Sequence, residues 1–136
     1  MIRFVLGNIN WLSVIVVTIL SFPLGALWHN KRVFGKAWTE DAKPVFDKTK
    51  KISFLRLFGL SAVFHFVAVA GLDVLIGDDA SAMTGLGTGL AVSFIWVFTS
   101  IAVTHLFVNR SFRLILIDGG FYIVFFSIAG LILGAW

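Results

Sequence analysis

Three histidines and two carboxylates sit in stretches of this chain that are otherwise almost pure hydrocarbon: His29, His65, His105, Asp73 and Asp118. Imidazole and carboxylate are the side chains that relay protons and ligate divalent transition metals. His65 and Asp73 are eight residues apart, just over two turns and roughly on one face of a helix. With Asn10 they would form a polar track for protons or an ion. His29, His105 and Asp118 make a second set, with donor types suited to a metal or a proton-linked site. Neither set has the local spacing of a known catalytic motif. There is no HExxH pair, serine, histidine and acid are too scattered for a hydrolase triad, and no glycine-rich phosphate cradle follows a strand. The chain has no cysteine, which removes thiolate ligands, disulfides and cysteine nucleophiles. The expectation is no enzyme, no bound metal and no cofactor.

The elements that must position these groups are set by composition. Of 136 residues, 59% are apolar and only 13% are charged, about half the charged share of a soluble domain. Mean hydropathy is +0.98. A soluble fold this small could not bury so much apolar surface. Four apolar runs approach the roughly 20 residues that cross hydrocarbon as a helix. They predict an all-α, polytopic membrane protein forming a single domain, with spans over residues 6–28, 54–76, 84–108 and 112–136. A basic loop over 29–53 joins the first two. The first run is long, lacks an A-x-A site and is followed by dense basic residues, so it reads as an anchor, not a cleaved leader. Gly85, Gly89 and Ser93 in the third span, and Gly130 and Gly134 in the fourth, recur every four residues. Such small-xxx-small faces admit another helix closely, within one chain or between chains.

Charge sets the orientation. Ten of the eleven Lys and Arg residues fall in two short segments, a pattern of membrane topology and not of nucleic-acid binding. The 29–53 loop and the Asn109–Arg113 turn are both basic, and two crossings separate them. The positive-inside rule makes both cytoplasmic. The acidic Asp78–Asp79 turn and both termini then face outward, giving two N-out/C-out hairpins in a bacterial inner membrane. Arg3 votes the other way and is outnumbered by Lys31, Arg32, Lys36, Lys43, Lys48, Lys50 and Lys51. Around the first exit, Trp28, Lys31, Arg32, Phe34, Lys36 and Trp38 suit a segment at headgroup level, aromatics down and cations up, against the lipid bilayer.

This topology places His29, His105 and Asp118 near the inner ends of their helices, His65 near mid-span, and Asp73 and Asn10 near the outer ends. The plainer reading of the inner set is that its members reach the interface and Asp118 pairs with Arg110 or Arg113. For the other set it is a histidine bonded to a neighbouring helix, with Asp73 held by Asn10 or outer water. A bis-histidine haem needs matching depths, and His65 and His105 differ by roughly 10 Å at 1.5 Å per residue.

The order Asn10, Gly25-Ala-Leu-Trp28, Phe34-Gly-Lys-Ala-Trp38, Arg110-Ser-Phe-Arg-Leu-Ile-Leu-Ile-Asp-Gly-Gly-Phe-Tyr122 and Gly130-Leu-Ile-Leu-Gly-Ala-Trp136 resembles the bacterial membrane proteins grouped as domain of unknown function 1761. The resemblance covers essentially the whole chain. The chain departs from it at His29, where the family usually has an aromatic. It implies a four-helix membrane protein and supplies no activity and no catalytic residues. Three function readings stay open: a non-enzymatic integral protein, oligomeric or not; a small ion or proton channel or transporter; and a lipid-interacting or accessory subunit.

Overall fold

The computed structural model describes Gly7, residues 9–42 and residues 53–136. Arg3, Leu6, Asn8 and the second half of the first loop, with Lys43, Pro44, Asp47, Lys48, Lys50 and Lys51, lie outside the described residues. The described chain is helical, with no strand. In order come α1 (Trp11–Trp28), α2 (Gly35–Ala42), α3 (Phe54–Ile76), α4 (Ala82–Phe107) and α5 (Phe112–Ala135). Four of these, all but α2, are long and apolar enough to cross a membrane.

The first span is interrupted at Asn10 and does not run unbroken from about Leu6. Asn10 leaves the helical region, with ψ at 87°, and its side-chain oxygen accepts the Ser13 N–H at 3.2 Å. An asparagine that satisfies an orphan first-turn donor is a strong helix start. Ser81 and Ser111 start α4 and α5 in the same way, accepting from Thr84 and Leu114. Gly77, at φ 79°, ends α3 in a conformation that L side chains rarely adopt. The third span is not uniform. Ser93–Phe98 forms a π-helical turn within α4, where the Phe98 ring lies against Gly119.

The helix α5 is the centre of the bundle. Ten of its residues are buried, from Leu114 to Leu133, and it packs against each of the other four helices. Its Phe121, Phe125, Phe126, Ala129 and Leu133 meet Val14 and Val17 of α1 and Val69 and Leu72 of α3 in one core. Its other face meets α4 at backbone distance. A Cβ on Gly85 would lie 2.0 Å from the Gly130 carbonyl oxygen, and one on Gly89 2.0 Å from that of Phe126. A Cβ on Gly134 would lie 2.5 Å from the Ser81 carbonyl oxygen, and Ser93 is fully buried. The two small-residue faces therefore pack against each other within one chain. Buried hydroxyls on α1 bond back to their own helix: Thr18 donates to Val14 O and Ser21 to Thr18 O, both at 2.7 Å. These bonds satisfy the two buried hydroxyls within α1 itself.

Candidate functional site

The exit from α1 is a built turn. Asn30 accepts the Val33 and Gly35 N–H groups on its backbone oxygen and the Arg32 N–H on its side chain. Gly35 has no room for a side chain, since a Cβ there would sit 2.1 Å from the His29 carbonyl oxygen. The turn sends α2 back across the end of the bundle. Lys31, Arg32 and Lys36 are exposed. The two tryptophans of this segment turn their indole N–H groups to α5. Trp28 donates from Nε1 to the Ile117 carbonyl at 3.0 Å, and Trp38 donates from Nε1 to Asp118 Oδ1 at 2.9 Å. An indole N–H near hydrocarbon needs an acceptor, and α5 supplies both. Phe34 packs on Trp28, ring centres 4.6 Å apart, while keeping an exposed edge.

Asp118 also accepts from His105 Nε2 at 2.7 Å. The expected pairing of Asp118 with Arg110 or Arg113 does not form. Five residues separate Arg113 from Asp118, about 140° around a helix, so they leave α5 in different directions. Arg113 instead turns to α2, bonding Asp41 from Nε at 2.8 Å and Glu40 at 3.3 Å. Ser111 donates to Asp41 as well, and Arg110 donates to the Ala42 carbonyl at 2.9 Å. Asp41 thus stands at the N-terminus of α5, where a carboxylate is favoured by the orphan N–H groups. The short α2 is strapped to α5 at two points, Trp38–Asp118 toward the bundle and Asp41–Arg113 toward the aqueous rim.

His29, Trp38, His105 and Asp118, with Ile101, Phe121 and Tyr122, line a cleft of about 330 Å³. The inner set is therefore brought to one place. His29 does not join the His105–Asp118 pair. Its Nδ1 donates to Gly25 O at 3.0 Å, and its ring sits edge-on to Trp38. Among the described residues no three His, Cys, Asp or Glu side chains converge on a point that could hold a metal.

The outer set divides. Asp73 accepts the Asn10 backbone N–H at 3.0 Å, joining the start of α1 to the end of α3. His65 is not connected to them. Val14, Val17, Val69 and Leu72, each no more than 2% exposed, fill the space between α1, α3 and α5. His65 faces the α2 side of the bundle instead. It lines a larger cleft of about 680 Å³ with Ser21, Phe22 and Gly25 of α1, Trp38 and Thr39 of α2, and Ser61 of α3. His29, Trp38 and Phe121 belong to both clefts, so the two adjoin on the α2 side of the bundle. Sequence reasoning missed Ser61, Thr39 and Tyr122 here. Ser61 was legible as the residue one turn before His65, whose carbonyl accepts His65 Nδ1 at 2.8 Å. Tyr122 is the one tyrosine of the chain. Thr39 carried no signal, because α2 folds back only through the tertiary contacts just described.

No curated protein and no solved structure matches the chain. The sequence pattern of the family described as "Protein of unknown function (DUF1761)" matches residues 12–134. That span holds the α1 exit, both clefts and the two glycine faces, and the chain belongs to this family.

Proposed function

We propose that this is a multi-pass, non-enzymatic protein of the bacterial cytoplasmic membrane that holds a small apolar ligand in the cleft between α1, α2 and α3. The observation that carries this reading is the cleft itself. Its volume of about 680 Å³ lies within the range of small-ligand sites. Its lining is mostly apolar and aromatic, with a few polar groups (His29, Thr39, Ser61, His65) that could orient a bound molecule. The basic exit turn and the Arg110–Arg113 turn put the α2 end of the bundle on the cytoplasmic side by the positive-inside rule. The termini and the Asp78–Asp79 turn are then outside. A conduit through one protomer finds no support in the packing, because the Val14/Val17/Val69/Leu72 layer separates His65 from Asp73. The glycine faces give no support to an oligomer, since each is filled by the other.

The orientation is directly testable because the chain has no cysteine. In right-side-out bacterial membranes, Asp79→Cys is expected to react with a membrane-impermeant maleimide. Lys36→Cys should react only after the membrane is opened. The reverse pattern would overturn the topology.

The cleft is tested with an alkyl diazirine on the protein in lipid nanodiscs. Labelling should concentrate on Leu57, Phe58 and Ser61, and Ala26→Phe at the rim should lower it there about tenfold while thermal unfolding stays within a few degrees of wild type. Equal labelling of the lipid-facing α4 residues Trp96 and Val103, unchanged by Ala26→Phe, would sink the ligand-cleft reading.

A further inference from the structure

Two buried side-chain nitrogens have no hydrogen-bond partner among the described residues, His65 Nε2 and His105 Nδ1. Buried polar atoms are nearly always satisfied, so each orphan needs a physical explanation. His105 lines the smaller cleft, and its ring is fixed by the bond from its other nitrogen to Asp118. His65 has no carboxylate. Its Nδ1 faces the Ser61 carbonyl, and a carbonyl oxygen only accepts, so the proton is on Nδ1. In the neutral ring that leaves Nε2 without a proton. Nε2 is therefore a lone pair, an acceptor without a donor.

Its surroundings are aromatic. The ring stacks on Tyr122 with centres 6.3 Å apart, stands edge-on to Phe125 at 5.3 Å and is tilted against Phe22 at 6.2 Å. None of these rings, the Tyr122 hydroxyl included, donates to Nε2, which is buried without a partner. Phe22 belongs both to this cage and to the wall of the cleft. It is only partly buried, and a ligand in the cleft must turn it aside to reach Nε2. Phe58, Phe121 and Trp38 add flat surfaces to the same cleft.

From this juxtaposition of an unpaired imidazole acceptor and a ring-lined cleft, we infer that the cleft recognises a planar aromatic hydroxyl carrying an apolar tail, a long-chain phenol or a reduced quinol, whose O–H donates to His65 Nε2. The inference rests on the ligand-cleft reading and names what that cleft selects. A phenol supplies the missing donor, its ring stacks among Phe22, Phe58 and Phe121, and its tail stays in hydrocarbon. A phenolic O–H is a stronger donor than an aliphatic one. A quinone or an aryl ether of the same shape has only acceptors to offer, and would leave two lone pairs facing each other.

The test compares 4-nonylphenol with 4-nonylanisole, identical in tail and ring but without the donor, against protein in nanodiscs. Binding is read by tryptophan fluorescence and corrected for partition into empty nanodiscs. Wild type should prefer the phenol by about tenfold or more, the effect of satisfying one buried acceptor. His65→Phe should bring the two affinities within about twofold of each other. His65→Gln, which keeps an acceptor, should retain a preference. Equal binding of phenol and anisole to wild type overturns the inference and leaves the cleft standing. Saturable binding of neither overturns the cleft reading as well. A saturated ring alcohol, 4-nonylcyclohexanol, distinguishes the source of the hydroxyl. If it binds as tightly as the phenol, the aromatic part of the proposal is overturned and a lipid alcohol takes its place.

Discussion

Gly85→Ala is expected to destabilise the bundle by about 3 kcal/mol or more, the upper end of overpacking costs. One methyl group rarely matters this much in a helix. It matters here because of what it would strike. The new Cβ would lie 2.0 Å from the Gly130 carbonyl oxygen, and the reciprocal Cβ on Gly130 would lie 2.1 Å from the carbonyl oxygen of Gly85. Both obstacles are backbone, so no side-chain rotation relieves them, and α4 must separate from α5 along the whole Gly85/Gly89 face. In hydrocarbon the lost close packing is not offset by a gain in apolar burial, since lipid tails are as apolar as the helix surface. Gly87→Ala is the matched control on the same helix, with nothing within 4 Å of its Cβ, and should be near neutral. Thermal unfolding in mild detergent, followed by loss of monodisperse protein, reads both. Equal stability of the two variants would refute the backbone contact. The same pair of variants should leave the oligomeric state unchanged, because the face is occupied within one chain.

How much of this was legible in the sequence depends on whether a residue's role is local. The four spans follow from hydropathy alone, because twenty apolar residues in a row have one economical solution in a membrane. The glycine faces are legible from their spacing, although spacing alone leaves open whether the partner helix is in the same chain. The start of α1 is a local signal that apolarity conceals. Asn10 stands immediately before a long hydrophobic run, and its capping of Ser13 starts the helix later than hydropathy would. The partners of Asp118 are not local at all. The nearby arginines of the sequence, Arg110 and Arg113, point to the acidic end of α2, and the acceptor oxygens of Asp118 go to Trp38, 80 residues away, and to His105. A tryptophan amid lysines reads as an interfacial anchor when its N–H is assumed to meet lipid headgroups. It becomes a tether once a carboxylate stands within reach.

That tether leads to the second large expected effect. Asp118→Ala should release α2 at its inner anchor. The substitution strands the Trp38 Nε1–H and the His105 Nε2–H, which now donate to opposite oxygens of one carboxylate at 2.9 and 2.7 Å. Hydrogen bonds to a charged acceptor contribute about 1.5–3 kcal/mol each. The Asp118 and His105 side chains are 24% and 20% exposed, so water recovers part of the loss, and about 2 kcal/mol in all is the reasonable expectation. That is a factor of up to about 30 in the local opening equilibrium, read as faster deuterium uptake in the peptide carrying Gly35–Ala42, with the α5 core unchanged. Asp118→Asn should fall between the two, because its amide oxygen still accepts from Trp38 while its NH₂ no longer suits a His105 that donates from Nε2. Arg113→Ala cuts the other strap, at Asp41 and Glu40. Since both straps hold one eight-residue helix, the double variant should exceed the sum of the singles in exchange rate. Unchanged protection of α2 in Asp118→Ala would show that the helix is held by the rim contacts alone. Release of α2 has a functional consequence as well. Gly35, Trp38 and Thr39 form one wall of the larger cleft, so a variant that frees α2 should also lose ligand affinity while His65, the residue proposed to read the ligand, is left untouched.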